Sequence, residues 1–396
     1  MKILSNENRL RVSRTKFIPS GGTTIFAKNF SSYLIQHGHT WIGVEQYIST
    51  TNTGAMRRRK MAPGYSLYTL FSPAKHYKSL YRSRSRIIPK EYFSDEITRL
   101  RYLIVAQAPD VVFINGFSTY AWLLLTAASA EGIPIVMQHA GILSIEVEMY
   151  ADHFSAAARH MLFAMEQDTI LSATEHVFLN QTSRAAFGAT VGTVPPAQSH
   201  IIPLPCEKAL IGSAPTAHHS PQTPLRIGCV ARWDRIKNHK AVLQVAKTAH
   251  ALKFPWIFES VTSIPKTAYC IQTKSAYRRF ITVHPPMERA ALKRFYESMD
   301  LMLLPSHFDV SPTVVLEAAL AGVPTLITPE VGWADTYRHH KLGAYIMDFS
   351  DPKKVVHRIQ ILQRQRTTPA FRRFLLQNHA PERTFAAYVR LFRSVC

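Results

Sequence analysis

Glu317 is a carboxylate placed where a carboxylate is costly. It lies in PTVVLEAALA (Pro312 to Ala321), and its helical neighbours Thr313, Val314, Leu320 and Ala321 give it no polar face. Asp309 stands eight residues earlier. Between the two the pattern sets a helix N-terminus, whose free N–H groups favour an anion such as phosphate. Alone, Glu317 fits equally well a carboxylate that meets a structural arginine or backbone donor. A second group is cationic: Arg232 and Lys237 are five residues apart, just past the apolar run Leu225 to Ala231. At the C-terminal end of a strand such a pair could converge on a diphosphate, the arginine as a fork and the lysine as a point charge. It could equally be a solvated basic turn. His139 follows the run Ile133 to Gln138, and Gly21-Gly22 precedes a helical pattern. A glycine pair there lets a ligand approach the backbone closely.

The elements that must position these groups alternate. Leu301 to Leu304 is a short apolar run bounded by Asp300 and Pro305, as in a buried strand. Ser311 suits an N-cap, Pro312 the first helical position and Gly322 the exit, while Pro324 forbids continuation. Val323 to Thr328 then forms the next strand. The same grammar predicts a first strand at Met1 to Leu4, a helix from Ile25 to His37 ended by Gly38, and a strand at Thr40 to Val44. Further on it predicts helix Ser94 to Ala108, strand Asp110 to Asn115, helix Thr119 to Ala130 and strand Ile133 to Gln138. His139 is therefore expected just past a strand, where open α/β sheets bind ligands, although a lone histidine there is more often structural. Helix Phe154 to Leu171, strand Glu175 to Leu179, a helix capped by Asn180, and a strand closing at Ile201-Ile202-Pro203 follow. A second series opens at Leu225 to Ala231, with a helix from near His239, strands Trp256 to Val261 and Phe280 to Val283, and helix Arg289 to Met299. Asp351-Pro352 starts another helix, and FAAYVRLFRSVC (Phe385 to Cys396) suits a last one. The alternation is that of an α/β protein with parallel sheets.

The chain has 396 residues, enough for two domains of roughly 150 to 200 residues each. The stretch Ala214 to Pro224, rich in Pro, Ser, Thr and His, is the natural linker. The expected division is 1–208, linker 209–224, and 225–377, with a helix at about 378–396. No apolar run approaches the ~20 residues that span a bilayer, and MKILSNENRLRV lacks the apolar core of a signal peptide. Four scattered cysteines (Cys206, Cys229, Cys270, Cys396) fit reduced thiols and a cytoplasmic protein. Eighteen histidines form no recognisable metal motif, so no metal is expected.

The spacing of Asp309 and Glu317 inside strand, loop and helix resembles the E-x7-E motif of GT-B glycosyltransferases, in particular the large retaining family 4. Asp309 stands where that family usually has Glu, and Ser311 where it often has an aromatic residue. The resemblance continues in order along about three quarters of the chain, through Gly21-Gly22, His139 and Arg232/Lys237. Ala231 and Asn238 occupy positions where the family usually has Gly, and Leu204-Pro205-Cys206-Glu207 replaces its usual Asn-Gly turn. Lys341 to Phe349 resembles the family's glycine-containing strand.

The resemblance implies two Rossmann-like domains facing each other across a cleft, with the C-terminal helix returning to pack on the first. It also implies a nucleoside-diphosphate sugar as co-substrate and an acceptor hydroxyl on a glycan or glycolipid. His139 and Asp309 would act at the sugar, Arg232 and Lys237 at the diphosphate, and Glu317 at the ribose. Gly21, Gly22 and the helix start at Ser311, Pro312, Thr313 and Val314 would border the donor. The sequence holds no Asp-x-Asp, so a metal bridging the diphosphate is not expected, nor any cofactor.

The net charge of +21 is partly local. Residues 57–90 hold ten Lys/Arg and no Asp/Glu, among them Arg57, Arg58, Arg59, Lys60, Arg82, Arg84 and Arg86, with Tyr65, Tyr68, Phe71, Tyr77 and Tyr81 interleaved. Cations near an anionic membrane contribute ~1 kcal/mol each, and aromatic rings suit the headgroup layer. A peripheral membrane contact and a role in polysaccharide, lipopolysaccharide or glycolipid synthesis are therefore expected. The same composition could bind nucleic acid on a degenerate GT-B scaffold. Asp309 in place of Glu leaves open an inactive GT-B subunit that supports a partner, and both readings stand second to sugar transfer.

Overall fold

The computed structural model describes residues 1–11, 21–49, 56–73, 90–207, 223–265, 268–363 and 365–396. Residues 209–222 of the expected linker, together with Arg82, Arg84 and Arg86, lie outside them. The chain divides into two units, Met1–Pro203 with Thr384–Cys396, and Leu204–Arg383.

The first unit runs β1 (Lys2–Arg11), α1 (Gly21–Gln36), β2 (Thr40–Ser49), β3 (Arg57–Ala62), β4 (Tyr65–Pro73), α2 (Ser94–Gln107), β5 (Val111–Asn115), α3 (Thr119–Ala130), β6 (Ile135–His139), α4 (Leu143–Met149), α5 (Ala156–Ser172), β7 (Glu175–Phe178), α6 (Gln181–Thr190) and β8 (Ser199–Ile201). Its sheet has the order β3-β4-β2-β1-β5-β6-β7-β8 and is parallel except where β3 meets β4. All five residues of β5 and all five of β6 are buried, as strands covered on both faces must be.

The second unit runs β9 (Arg226–Val230), α7 (His239–Ala251), β10 (Ile257–Val261), α8 (Ala268–Phe280), β11 (Thr282–His284), α9 (Arg289–Glu297), β12 (Leu301–Leu304), α10 (Thr313–Leu320), β13 (Thr325–Ile327), α11 (Ala334–His339), α12 (Pro352–Leu362) and α13 (Pro369–Asn378). Its sheet is parallel throughout, in the order β11-β10-β9-β12-β13. Helix α14 (Pro381–Val395) carries the chain back, and from Thr384 on it belongs to the first unit. There Phe385, Tyr388 and Phe392 meet Phe30 of α1 with ring centroids 5.1 to 5.9 Å apart, and Tyr388 and Phe392 each lie 5.5 Å from Phe113 of β5. The two parallel-sheet, Rossmann-like units confirm the α/β expectation.

Several boundaries differ for physical reasons. Strand β1 extends to Arg11 rather than ending at Leu4, because parallel pairing with β2 continues, after a register shift, to Arg11↔Tyr47. Residues 57–73 form a hairpin that no alternation announces, since every residue of β3 is exposed. Pro63-Gly64 turns it, with Gly64 at φ +75° as the second central residue of such a turn requires. Helix α10 starts at Thr313 with Pro312 in the N-cap position, so Ser311 makes no cap; β-region torsions at Pro312 keep it outside the helix. Residues 341–349 form a short 3-10 turn at Gly343–Tyr345 and a single bridge from Ile346 to Ile327 rather than a strand. Phe280 ends α8, and the strand expected there begins at Thr282.

Candidate functional site

In the second unit, the loops that leave β9 and β12 come together. Beyond β9 the chain passes Ala231 and Arg232 and turns through Asp234, whose Oδ1 accepts the Ile236 N–H at 3.0 Å. Asn238 takes a left-handed conformation, φ +51°, while its side chain caps α7 by accepting the Ala241 N–H at 3.3 Å. Asparagine tolerates that region better than most residues, so it can stand where a glycine would otherwise be expected. His239, buried, donates from Nε2 to the Arg232 carbonyl at 2.9 Å and stacks on Trp233. Burial holds the His239 pKa below the usual histidine range, with its bond to Arg232 opposing the shift. The Arg232 side chain is exposed and makes no ion pair among the described residues.

The loop after β12 is fixed at several points. The His307 N–H donates to the Ile236 carbonyl at 2.8 Å, the Gly332 N–H to the Asp309 carbonyl at 2.8 Å, and Thr328 Oγ1 to the Ser306 carbonyl. Trp333 Nε1 donates to the Pro312 carbonyl at 3.2 Å, beneath the start of α10. These ties bring Lys237 Nζ onto Asp309 Oδ2 as an ion pair, both side chains mostly buried. No side chain caps α10 and its first turn holds no acidic residue, so the Thr313 and Val314 N–H groups stand at an uncapped helix start. A lysine–aspartate ion pair and a helix N-terminus thus stand at the C-terminal edge of one parallel sheet, with Arg232 exposed in the loop after β9. That arrangement suits an anionic ligand.

Glu317 is one turn further along α10 and is buried. Its partners come from α9: Tyr296 donates its hydroxyl to Oε2 at 2.7 Å, and Arg289 Nη1 donates to Oε1 at 3.0 Å. The other arginine nitrogen, Nη2, lies 2.7 Å from Glu207 Oε1. Sequence reasoning missed all three of these residues. The only signal for them was the need of a buried carboxylate for a partner, and nothing local said which arginine or tyrosine would supply it.

In the first unit His139 requires correction. It is the last residue of β6 rather than the first after it, paired in register with Phe178, and no part of it is exposed. Strand alternation places Ile135, Met137 and His139 on one face and Gln138 on the other. The His139 ring stacks on Phe178 at 4.5 Å and lies 4.3 Å from Phe187, while its Nε2 meets His176 Nδ1 at 3.0 Å. Burial, and then the charge of His176, press its pKa well below the histidine range. The ring is thus packed within the core of the first unit, with no exposed face. The helix that follows has no free N-terminus either: Glu166 accepts the Leu143 N–H at 2.8 Å and the Ser144 N–H at 2.7 Å.

Behind the glycine pair lies a buried polar chain that sequence reasoning also missed. Tyr388 donates to Gln138 Oε1, Gln138 Nε2 to Asn115 Oδ1 at 3.0 Å, and Asn115 Nδ2 to the Thr23 carbonyl at 2.8 Å. It fastens the first turn of α1, in which Gly21 and Gly22 stand, to the ends of β5 and β6. A Cβ at Gly22 would meet nothing within 4 Å, so the glycine leaves the backbone open there. Of the basic stretch, Arg57, Arg58, Arg59 and Lys60 are exposed on the edge strand β3, with Arg57 lying 5.4 Å over Phe71 and Arg58 6.0 Å over Tyr68. Cations on an edge strand also block pairing with another sheet.

Residues 224–365, just over a third of the chain, match the family model "Glycosyl transferases group 1". That segment contains Arg232, Lys237, Asp309 and Glu317. A comparison with curated protein sequences gives no match. Among solved structures, the chain is similar over its whole length to sucrose-phosphate synthase from Thermosynechococcus elongatus, with a TM-score of 0.72 and 14% identity, covering 100% of this chain and 99% of that one. It is also similar to an alpha,alpha-trehalose-phosphate synthase (UDP-forming) from Burkholderia xenovorans in complex with glucose-6-phosphate, at TM-score 0.68 and 12% identity, covering 99% of each chain. A trehalose-6-phosphate structure from E. coli bound with UDP-2-fluoro glucose aligns at TM-score 0.66 and 11% identity, again over 99% of each chain. The fold is therefore GT-B. Among the described residues no helix is long and apolar enough to cross a membrane.

Proposed function

We propose that the protein is a retaining glycosyltransferase that moves a sugar from a nucleoside-diphosphate sugar to an acceptor hydroxyl. The observation that carries this reading is the gathering of Lys237 and Asp309 beside the uncapped start of α10, inside the segment that matches the group 1 glycosyltransferase model. As the glycosidic bond to the diphosphate breaks, negative charge builds on the leaving phosphate oxygens. Arg232, Lys237 and the N–H groups of Thr313 and Val314 would take that charge, and no metal is invoked. Asp309 would contact the sugar, and Glu317 would accept hydrogen bonds from the ribose hydroxyls. Two of the similar structures are described with a UDP-sugar analogue or as UDP-forming, which makes UDP the first donor nucleotide to try.

A thermal-shift panel of UDP, GDP, ADP and their sugar conjugates tests the reading. One nucleotide should raise the melting temperature of the wild type and not of Lys237→Ala. No shift with any of them would overturn it and favour the degenerate-scaffold alternatives.

The exposed cations of β3 support an acceptor held at an anionic surface, such as a lipid-linked glycan, in polysaccharide, lipopolysaccharide or glycolipid synthesis. Sedimentation with vesicles containing anionic lipid should bring down the wild type, and Arg57→Glu with Arg59→Glu should weaken that binding. Equal sedimentation of both proteins would remove the membrane contact from the proposal.

A further inference from the structure

Two side chains of α9 hold Glu317. Its two oxygens each accept one donor, Tyr296 on Oε2 and Arg289 on Oε1. A carboxylate has about four acceptor positions, so each oxygen keeps one. Arg289 is not committed to Glu317 alone, because its other nitrogen pairs with Glu207. One guanidinium thus serves two carboxylates, and Glu317 retains acceptor strength that full pairing would blunt. Tyr296 is wholly buried, and burial, followed by the Glu317 charge, raises its pKa well above the usual tyrosine value. It therefore stays a donor throughout the physiological pH range. A donor on each carboxylate oxygen also restricts the rotamer freedom of Glu317, which would otherwise be lost when a ligand orders the side chain.

We infer that Tyr296, Arg289 and Glu207 are positioning residues that hold Glu317 ready for two adjacent hydroxyls, and so make the site select a ribonucleotide over its 2′-deoxy counterpart. The inference rests on the donor-site reading above and adds to it the residues that set sugar discrimination on the nucleotide side. A cluster serving only to stabilise a buried charge would lower stability when altered and leave that discrimination intact.

The test compares binding of UDP, ADP and GDP with their 2′-deoxy forms by calorimetry in wild type, Tyr296→Phe and Glu207→Gln, with melting temperatures measured in parallel. In the wild type the bound ribonucleotide should exceed its 2′-deoxy form by about tenfold, the loss of one hydrogen bond to a charged acceptor. In Tyr296→Phe the ratio should fall to about threefold or less, through weaker binding of the ribonucleotide while the 2′-deoxy form is unchanged. Glu207→Gln, which shifts Arg289 wholly onto Glu317, should compress the ratio in the same direction, and it decides the matter if Tyr296→Phe fails to fold. A ratio kept at its wild-type value, with only a lower melting temperature, would overturn the inference and leave the donor site standing. Absence of nucleotide binding to the wild type would overturn both.

Discussion

Each unit places polar residues at the C-terminal edge of a parallel sheet, yet the two edges are built for different purposes. In the second unit the loops after β9 and β12 bring Lys237 against Asp309 beside a helix start that no side chain caps. In the first, most groups at β5 and β6 meet one another: Gln138 meets Asn115 and Tyr388, His139 Nε2 meets His176 Nδ1, and Glu166 takes two N–H groups at the start of α4, while His139 Nδ1 and His176 Nε2 are buried without a hydrogen-bond partner. One edge sets an ion pair beside an open helix start, and the other buries most of its polarity in contacts within the unit. A polar residue at a strand end is thus no guide to function until its side-chain direction is known. A single position along the strand, as at His139, decides whether a ring faces the ligand or the core.

The largest expected effects come from breaking the edge of the second unit. Lys237→Ala and Glu317→Ala should each lower sugar transfer by at least about 100-fold, the scale seen when one preorganised charge-stabilising group is removed. Turnover by both variants at the wild-type rate would falsify the assignment of the donor site. Lys237→Ala leaves the mostly buried Asp309 without its ion-pair partner and Glu317→Ala strands Tyr296 and Arg289, so both should cost stability as well.

Acid should act next, on buried histidines of both units. Burial lowers the pKa of His176 to about 4, with the nearby His200 adding to the shift, and lowers that of His379 in the second unit to about 4 as well. Unfolded histidines protonate near pH 6.5, and the folded ones resist until about pH 4. The unfolded state therefore binds more protons in that window. Stability should be level above pH 7 and fall between about 6.5 and 4, by roughly 1.4 kcal/mol per pH unit for each such histidine. Denaturation midpoints measured across that range check the slope, and His176→Phe should make it shallower. A flat profile would mean that these rings are not neutral in the fold.

Much of this architecture was legible because buried parallel strands announce themselves. Val111 to Ile114 and Leu301 to Leu304 are unbroken apolar runs, and Asn180 and Asp351 do cap the helices they precede. The hairpin of β3 and β4 was not legible, because a strand exposed on both faces has no alternation to detect. Asn238 shows the opposite case. Its residue type suits the left-handed turn it makes, so its departure from the glycine of the resembling family leaves the loop intact. Long-range pairing left no trace at all. Tyr296 precedes Glu317 by 21 residues and Glu207 lies far from both in sequence, and only folding shows that one arginine joins the two carboxylates.

The smallest expected effect on catalysis is the most direct check on the comparison. If the first unit's edge is structural at β6, His139→Phe should change transfer by no more than about threefold. Its consequence should be a loss of stability of about 1 kcal/mol or more, because His176 loses its partner at Nδ1 while the new ring keeps the stack on Phe178 and Phe187. The double variant His139→Phe with His176→Phe removes both polar groups together, and should recover part of that stability because no buried nitrogen is left unpaired. A loss of transfer of 100-fold or more in His139→Phe, with the melting temperature unchanged, would show that the ring reaches the substrate in another conformation. The contrast between the two edges would then dissolve, and the first unit would contribute chemistry as well as scaffold.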